Sequence, residues 1–271
     1  METESSLKRE RTSVSVNWMK AIAVLLVVLL LASCGWAEEI VVAAAADLNQ
    51  VLPVIAERFE RESGNRVKLS FGSSGNFFAQ IQNGAPFDVF FSADIDFPKR
   101  LEAAGLTEPG SLYEYAVGKI ALWVPNGSGL DVGQGMSALL DPQVRKIAIA
   151  NPVHAPYGKA AVAALQHEQL YDRVKDKLVL GENISQTFEL VHSGNADVGI
   201  VALSLVMAPK VKDSGRFFAV PTSTYPPIRQ GVVAIRSSQH KEAAKAFIAY
   251  LKRPETINLL KQYGFEVPGS R

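Results

Sequence analysis

Residues 84–94 read GAPFDVFFSAD, and they decide the fold class because they hold a short apolar strand between two polar turns. The apolar side chains within residues 88–92 are consecutive rather than alternating, as in strands covered on both faces of a sheet. Outward from this stretch, similar short runs alternate with amphipathic segments, which is typical of α/β architecture. The predicted strands are residues 39–45, 66–71, 88–92, 115–124, 146–150, 179–182, 197–203 and 230–236.

The segments between these strands have helical periodicity. The first predicted helix carries its apolar residues on one face, with Pro53 in or near its first turn. A missing N–H is tolerated at that position. We expect largely parallel sheets flanked by helices, and 271 residues suffice for two lobes with a cleft between them. The further helices are predicted over residues 76–83, 97–104, 158–167, 186–193, 241–251 and 255–263.

The N-terminal residues 1–37 have the pattern of a secretory signal peptide. A flank with four basic residues precedes the apolar run AIAVLLVVLLLA at residues 21–32. This run is shorter than the roughly 20 apolar residues of a membrane-spanning helix, so export is expected. Two cleavage patterns remain open. LASC, residues 31–34, resembles a bacterial lipobox that would make Cys34 a lipidation site, whereas GWA, residues 35–37, suits ordinary signal peptidase.

Composition and motifs exclude several functions. The net charge is +1 without a basic run, so nucleic acid is not an expected partner. The four histidines form no close metal-ligand spacing, and Cys34, the sole cysteine, leaves the folded part without a disulfide. Nucleophile elbows, phosphate-binding loops and dinucleotide fingerprints are missing from the sequence. The chain is therefore not expected to be an enzyme.

Four strand-to-helix turns share small or hydroxyl residues. They read AAAD at residues 44–47, GSSGN at 72–76, NPVHAPYG at 151–158 and ENIS at 182–185. Unpaired N–H groups and the helix dipole make such turns anion sites, and they converge at the carboxyl ends of strands. The alternative is that Asp47, Ser73, Ser74 and Ser185 only cap helices, each stabilising by about 1 kcal/mol.

Together, these stretches resemble a known family. VAAAADL at 42–48, FGSSGN at 71–76, residues 84–94, NPVHAPYG at 151–158 and YGF at 263–265 are similar to the periplasmic molybdate-binding proteins of ABC transporters. The resemblance runs from about residue 41 to residue 265. It implies a two-lobed type 2 periplasmic-binding fold, with lobe 1 at residues 38–118 and 222–271 and lobe 2 at 119–221. Two crossings would act as the hinge for closure over solute.

The resemblance also implies the site. The oxyanion would be held by the turn at Asp47, by Ser74 with Ser73 beside it, and by the backbone N–H groups of Tyr157 and Ile184. Such neutral donors imply a passive receptor for molybdate or tungstate, with selectivity against sulfate set by cavity size. The implied protein has no cofactor. It is a periplasmic monomer that delivers its ligand to a membrane permease and contacts the membrane only through a lipid anchor on Cys34. A receptor for phosphate or sulfate is the alternative.

Two residues depart from the family pattern. Asp47 stands where many relatives have a serine, and a carboxylate facing a dianion is repelled in a desolvated cleft. Asp47 either turns away and caps the following helix while its N–H or that of Ala46 binds, or is protonated and donates to the anion. The third alternative is a different ligand, such as a protonated phosphate whose O–H Asp47 accepts. Ala202 stands where some relatives have a tyrosine. The phenol of Tyr157 either replaces that donor or only packs, and an enzyme using Asp47 as a base is a further alternative.

Overall fold

The structure, a computed structural model, describes residues 37–269. The predicted signal peptide and the lipidation site Cys34 lie outside these residues, apart from Ala37. Within the described range, no helix is both long and apolar enough to cross a membrane.

Ten strands form two five-stranded sheets in residues 37–269. The strands are β1 (Glu39–Ala45), β2 (Arg66–Gly72), β3 (Val89–Ser92), β4 (Tyr113–Gly118), β5 (Ile120–Pro125), β6 (Ile147–Ala150), β7 (Leu178–Gly181), β8 (Val198–Ala202), β9 (Gly215–Ala219) and β10 (Ile228–Ala234). The first sheet has the order β2-β1-β3-β10-β4, and the second has the order β7-β6-β8-β5-β9.

Nine α-helices flank these sheets in the same part of the chain. They are α1 (Leu52–Ser63), α2 (Ser74–Gln82), α3 (Asp96–Ala103), α4 (Pro156–His167), α5 (Tyr171–Val174), α6 (Ile184–His192), α7 (Leu203–Val206), α8 (Lys241–Tyr250) and α9 (Pro254–Gln262). Shorter 3-10 segments are Ala46–Leu48, Val132–Leu140, Lys175–Lys177 and Thr222–Thr224. The two-lobed α/β fold class is thus confirmed.

The sequence-based strand assignment needs three corrections. The sheets are mixed rather than largely parallel, because β10 runs antiparallel to β3 and β4, and β5 runs antiparallel to β8 and β9. The predicted strand at residues 115–124 is two strands in different sheets, interrupted at Lys119. Strand β9 was not predicted, because its side chains are mostly exposed and it carries no buried apolar run.

Helix α1 illustrates how local sequence sets an element. Leu52, Ile55, Ala56 and Phe59 are buried on one face at helical spacing. Pro53 lies in the first turn, as expected, and the helix ends at Gly64 in the left-handed conformation, with φ of 76°. The buried face packs in one hydrophobic cluster with residues of β1 and β3 in the first sheet.

The chain passes between the sheets twice. It leaves the first sheet after β4 and enters the second at β5, and it returns between β9 and β10. The predicted lobe boundaries at 118/119 and 221/222 fall in these connections and stay predictions, as does the hinge. Ala45, Ala46 and Ala93, at strand ends of the first sheet, pack into the hydrophobic core of the second. The two sheets therefore meet at the ends of their strands.

Candidate anion-binding site

Four turns of the chain converge where the sheets meet. Strands β1 and β2 are parallel with Ala45 opposite Gly72, and β6 and β7 are parallel with Ala150 opposite Gly181. Each pair therefore ends in register, and the turns that follow lie side by side. The four turns and Ala93 enclose a small pocket between them. It is lined by Ala45, Ala46, Asp47, Gly72, Ser73, Ser74, Ala93, Ala155, Pro156, Tyr157, Asn183 and Ile184.

The two serines of the first lobe differ in role. Ser74 is the first residue of α2, and its hydroxyl oxygen accepts the N–H of Ala93 at 2.9 Å. That bond leaves the hydroxyl proton of Ser74 available for an acceptor in the pocket. Ser73 is the N-cap of α2, because its hydroxyl accepts the N–H of Asn76 at 3.4 Å. It also lies 3.0 Å from Nδ1 of His154. Ser74 is therefore the better donor.

The second lobe presents backbone groups. Tyr157 follows Pro156 in the first turn of α4, and Ile184 is the first residue of α6. A helix provides no acceptor for the N–H groups of its first turn, and its dipole makes that end positive. The cap of α6 is Asn183, which accepts the N–H of Gln186 at 3.0 Å, so the alternative in which Ser185 caps this helix is wrong.

A glycine lets α4 approach its strand. A Cβ at Gly158 would lie 2.0 Å from the carbonyl oxygen of Ala150, a distance that the backbone cannot accommodate. This close approach holds the first turn of α4 at the end of β6. The glycine of the APYG motif thus positions the N–H of Tyr157.

Asp47 does not cap α1, contrary to one of the alternatives expected from the sequence. Its side chain is 1% exposed, and its Oδ2 accepts hydrogen bonds from the Tyr157 hydroxyl at 2.9 Å and from Gln230 Nε2 at 2.7 Å. Burial raises the pKa of Asp47 from 3.8 to about 6, and these two hydrogen bonds partly oppose the rise. The carboxyl group is thus part of a buried polar cluster, and Asp47 also lines the pocket.

The phenol of Tyr157 belongs to this cluster and donates to Asp47. Burial, and then the charge of Asp47, raise the pKa of Tyr157 well above its usual value, so the phenol stays protonated.

Two members of this polar cluster, Gln230 and Tyr115, were not predicted from the sequence. The Tyr115 hydroxyl donates to Gln230 Oε1 at 2.6 Å. The sequence feature that could have indicated Gln230 is its position, as a polar residue, inside the apolar run of β10. Ala202, the other departure from the family pattern, is buried at the end of β8, and it is not among the residues that line the pocket.

Hydrogen bonds join the two lobes around the pocket. The N–H of Gly75 donates to the carbonyl of His154 at 3.0 Å, and the Asn49 side chain donates to the Ser185 hydroxyl. The Ser204 hydroxyl donates to the carbonyl of Asp47 at 2.8 Å. The structure is therefore one in which the two walls of the pocket are in direct contact.

The pocket is small and carries little charge. Its cavity volume in this structure is about 10 Å³, and Asp47 is the only ionisable carboxyl or amino side chain among its lining residues. Within the described residues, no group of three or more histidine, cysteine, aspartate or glutamate side chains could hold a metal ion. Neutral hydroxyl and amide donors at helix starts can hold an anion without a cationic side chain. All five predicted site residues, Asp47, Ser73, Ser74, Tyr157 and Ile184, line this pocket, and their contact with a ligand stays a prediction.

The fold and the pocket define a two-lobed binding protein with its ligand cleft at converging strand ends. Comparison with known proteins extends this assignment. The chain belongs to the family of bacterial extracellular solute-binding proteins, whose model matches residues 40–266.

Named relatives cover most of the chain. It is 42% identical to the molybdate-binding protein ModA of Azotobacter vinelandii, over 87% of this chain and 93% of the relative. It is 39% identical to ModA of Rhodobacter capsulatus, over 84% of this chain and 88% of the relative. The solved periplasmic molybdate-binding protein of Azotobacter vinelandii superposes with a TM-score of 0.80 at 36% identity, covering 84% of this chain and 99% of that one.

Proposed function

We propose that this protein is a receptor that captures molybdate or tungstate outside the cytoplasm and delivers it to the permease of an ABC transporter. The observation that carries the proposal is the convergence of four strand-end turns, three of which begin an α-helix, on one small pocket without a cationic side chain. The identity to molybdate-binding proteins of two bacteria supports the choice of ligand.

The ligand would be held through its oxygen atoms. Ser74 would donate its hydroxyl proton, which is free because the oxygen already accepts the N–H of Ala93. The N–H groups of Tyr157 and Ile184 and the turn at Asp47 would donate from the other sides. Several fixed neutral dipoles spread a double negative charge without the unselective attraction of a lysine. Molybdate and sulfate carry the same charge and shape, so cavity size would select between them.

Closure would accompany capture. The bonds from Gly75 to His154 and from Asn49 to Ser185 join the walls, and each requires the lobes to be together. The two connections between the sheets would act as the hinge, and the closed form would be the one that the permease recognises. Capture needs no chemical step, so we propose a passive receptor without catalytic activity or cofactor, acting as a monomer.

Whether Cys34 is lipidated would decide whether the mature protein is anchored to a membrane or free in the periplasm. Lipidation of Cys34 would anchor it to a membrane, whereas cleavage after residue 37 would release it into the periplasm. Mass spectrometry of the mature N-terminus distinguishes the two forms. A mass with a diacylglyceryl group on Cys34 supports the anchor, and an unmodified N-terminus after residue 37 contradicts it.

Isothermal titration calorimetry with molybdate, tungstate, sulfate and phosphate tests the proposal. We expect tight binding of molybdate and tungstate at one site per chain and weak or undetectable binding of sulfate. Phosphate is the second candidate, because a protonated phosphate carries an O–H group that could donate to Asp47. Molybdate, a dianion without a proton, has no such donor. A phosphate signal without a molybdate signal would replace the proposed function with that alternative.

A further inference from the structure

The Asp47 carboxyl group has one oxygen that the protein leaves without a partner. Oδ2 accepts hydrogen bonds from Tyr157 and Gln230. Oδ1 is buried and accepts no hydrogen bond from any other residue among those described. An ionised carboxylate removed from water without a partner for one oxygen is costly, so the neutral acid is favoured at this position.

The groups that face Asp47 supply no positive charge. Tyr115 lies on β4, Tyr157 on α4, Gln230 on β10, and Ser204 on α7 donates to the Asp47 carbonyl. Burial, and then the charge of Asp47, raise the pKa of Tyr115 and of Tyr157 well above the usual value, so both phenols are neutral donors. No ion pair to Asp47 is formed within the described part of the chain. The nearby His154 contacts Ser73 and Glu182 instead.

The same residue lines the pocket in which the anion is proposed to bind. An ionised Asp47 and a dianion would place three negative charges in one site that excludes water and lacks a cation. Like charges raise the pKa of a carboxyl group further, beyond the effect of burial alone. A captured dianion and an ionised Asp47 are therefore mutually exclusive at ordinary pH.

We infer that capture of the oxyanion is coupled to uptake of one proton, which passes from solvent to Oδ1 of Asp47. Asp47 is thus a specificity-determining residue that makes the proton a second ligand of the receptor. The inference rests on the proposed function and deepens it, because it states the protonation state in which the site accepts a dianion. In the closed form Asp47 stays hydrogen-bonded to Tyr157 and Gln230 through Oδ2, and only the unpartnered oxygen changes.

Proton uptake can be counted during the titration of the whole mature protein with molybdate. The binding heat is measured in two buffers of different ionisation enthalpy at about pH 8, and the affinity is measured at about pH 6 and about pH 8. Burial raises the pKa of Asp47 to about 6 in this structure, and a bound dianion would raise it further, so we expect uptake of about one proton per anion at about pH 8 and binding about 50–100-fold weaker there than at about pH 6. Molybdate itself stays a dianion over this range, so its own protonation does not contribute.

Two variants locate the proton. Asp47→Asn should take up almost no proton and should change its affinity by less than about 3-fold over the same range. His154→Gln should keep the wild-type pH dependence, because the His154 side chain contacts Ser73 and Glu182 and not Asp47. Loss of the dependence in His154→Gln, or its persistence in Asp47→Asn, would overturn the inference.

The outcomes for the wild type separate this inference from the proposed function. Molybdate binding of equal strength at both pH values, without proton uptake, contradicts the proton coupling and leaves the receptor function intact. No molybdate or tungstate binding even at about pH 6 contradicts the receptor function itself. Tighter binding of phosphate at about pH 8 without proton uptake would show that Asp47 is ionised in the complex, and it would overturn the coupling.

Discussion

The two walls of the pocket offer donors of different kinds. The wall from the first lobe offers a side-chain donor, the Ser74 hydroxyl, beside Ser73 and Asp47, whose side chains are hydrogen-bonded within the protein. The wall from the second lobe presents the backbone N–H groups of Tyr157 and Ile184. A side-chain donor is removed by one substitution, whereas a backbone donor survives it. Removal of a hydroxyl donor from the first wall should therefore weaken binding, whereas a substitution in the second wall should act mainly on stability.

The largest effect expected for a residue of the first wall is that of Asp47→Asn on the free energy of unfolding. Because the folded-state pKa of Asp47 is raised from 3.8 to about 6, the folded protein holds this proton more tightly than the unfolded chain. Stability is then lost as pH rises from about 4 to about 6, by up to about 3 kcal/mol. We expect Asp47→Asn to be more stable than the wild type at about pH 8 and equally stable below about pH 4.

Urea unfolding across this pH range measures the difference between the two proteins. A constant difference between wild type and Asp47→Asn at all pH values would contradict the assignment. Asp88→Asn is a matched control, since Asp88 is also buried but accepts from the N–H of Val41 and from the Ser238 hydroxyl. Asp88→Asn should lower stability, because both Asp88 oxygens accept hydrogen bonds and an amide group can accept only at its one oxygen.

Ser74→Ala should have the next largest effect, and it acts on binding. Removing the hydroxyl leaves a buried charged acceptor short of a donor, which costs about 1–3 kcal/mol of binding free energy. Ser73→Ala is the control, because the Ser73 hydroxyl is occupied in capping α2 and in contact with His154. Molybdate titration of both variants checks the contrast. Equal affinity in Ser74→Ala and the wild type would remove Ser74 from the site.

Asn183→Ala tests the second wall through the helix cap. The side chain satisfies the N–H of Gln186, and its loss should cost about 1 kcal/mol of unfolding free energy. Denaturant unfolding measures this cost, with the exposed Asn195→Ala as a control that should stay within about 0.5 kcal/mol of the wild type. An unchanged stability in Asn183→Ala would mean that α6 does not depend on its cap.

The smallest effect on binding is expected for Ile184→Val. The substitution shortens a buried side chain and should lower stability by about 0.5–1.5 kcal/mol, while the backbone N–H stays in place. Molybdate affinity should therefore change by less than about 0.5 kcal/mol. A loss of affinity as large as that of Ser74→Ala would show that the second wall also binds through its side chains, and the contrast between the walls would fail.

Local features of the site could be predicted from the sequence, whereas contacts between distant residues could not. Ser73, Ser74, Tyr157 and Ile184 lie at helix starts, and the small residues around them mark those starts in the sequence. The bond between Gln230 and Asp47 joins residues 183 positions apart, and nothing near either residue specifies the other. The direction of the Asp47 carboxyl group was therefore left open.

The sequence by itself determined the α/β architecture, the strand-to-helix turns and the export pattern, because each depends on spacing and composition within a few residues. The tertiary structure decided which turns meet, that the sheets are mixed, and that the run at 115–124 breaks at Lys119 into strands of different sheets. Register and burial are set by packing between segments far apart in the chain. For the same reason, only the fold placed Asp47 between Tyr157 and Gln230, and that burial is what raises its pKa.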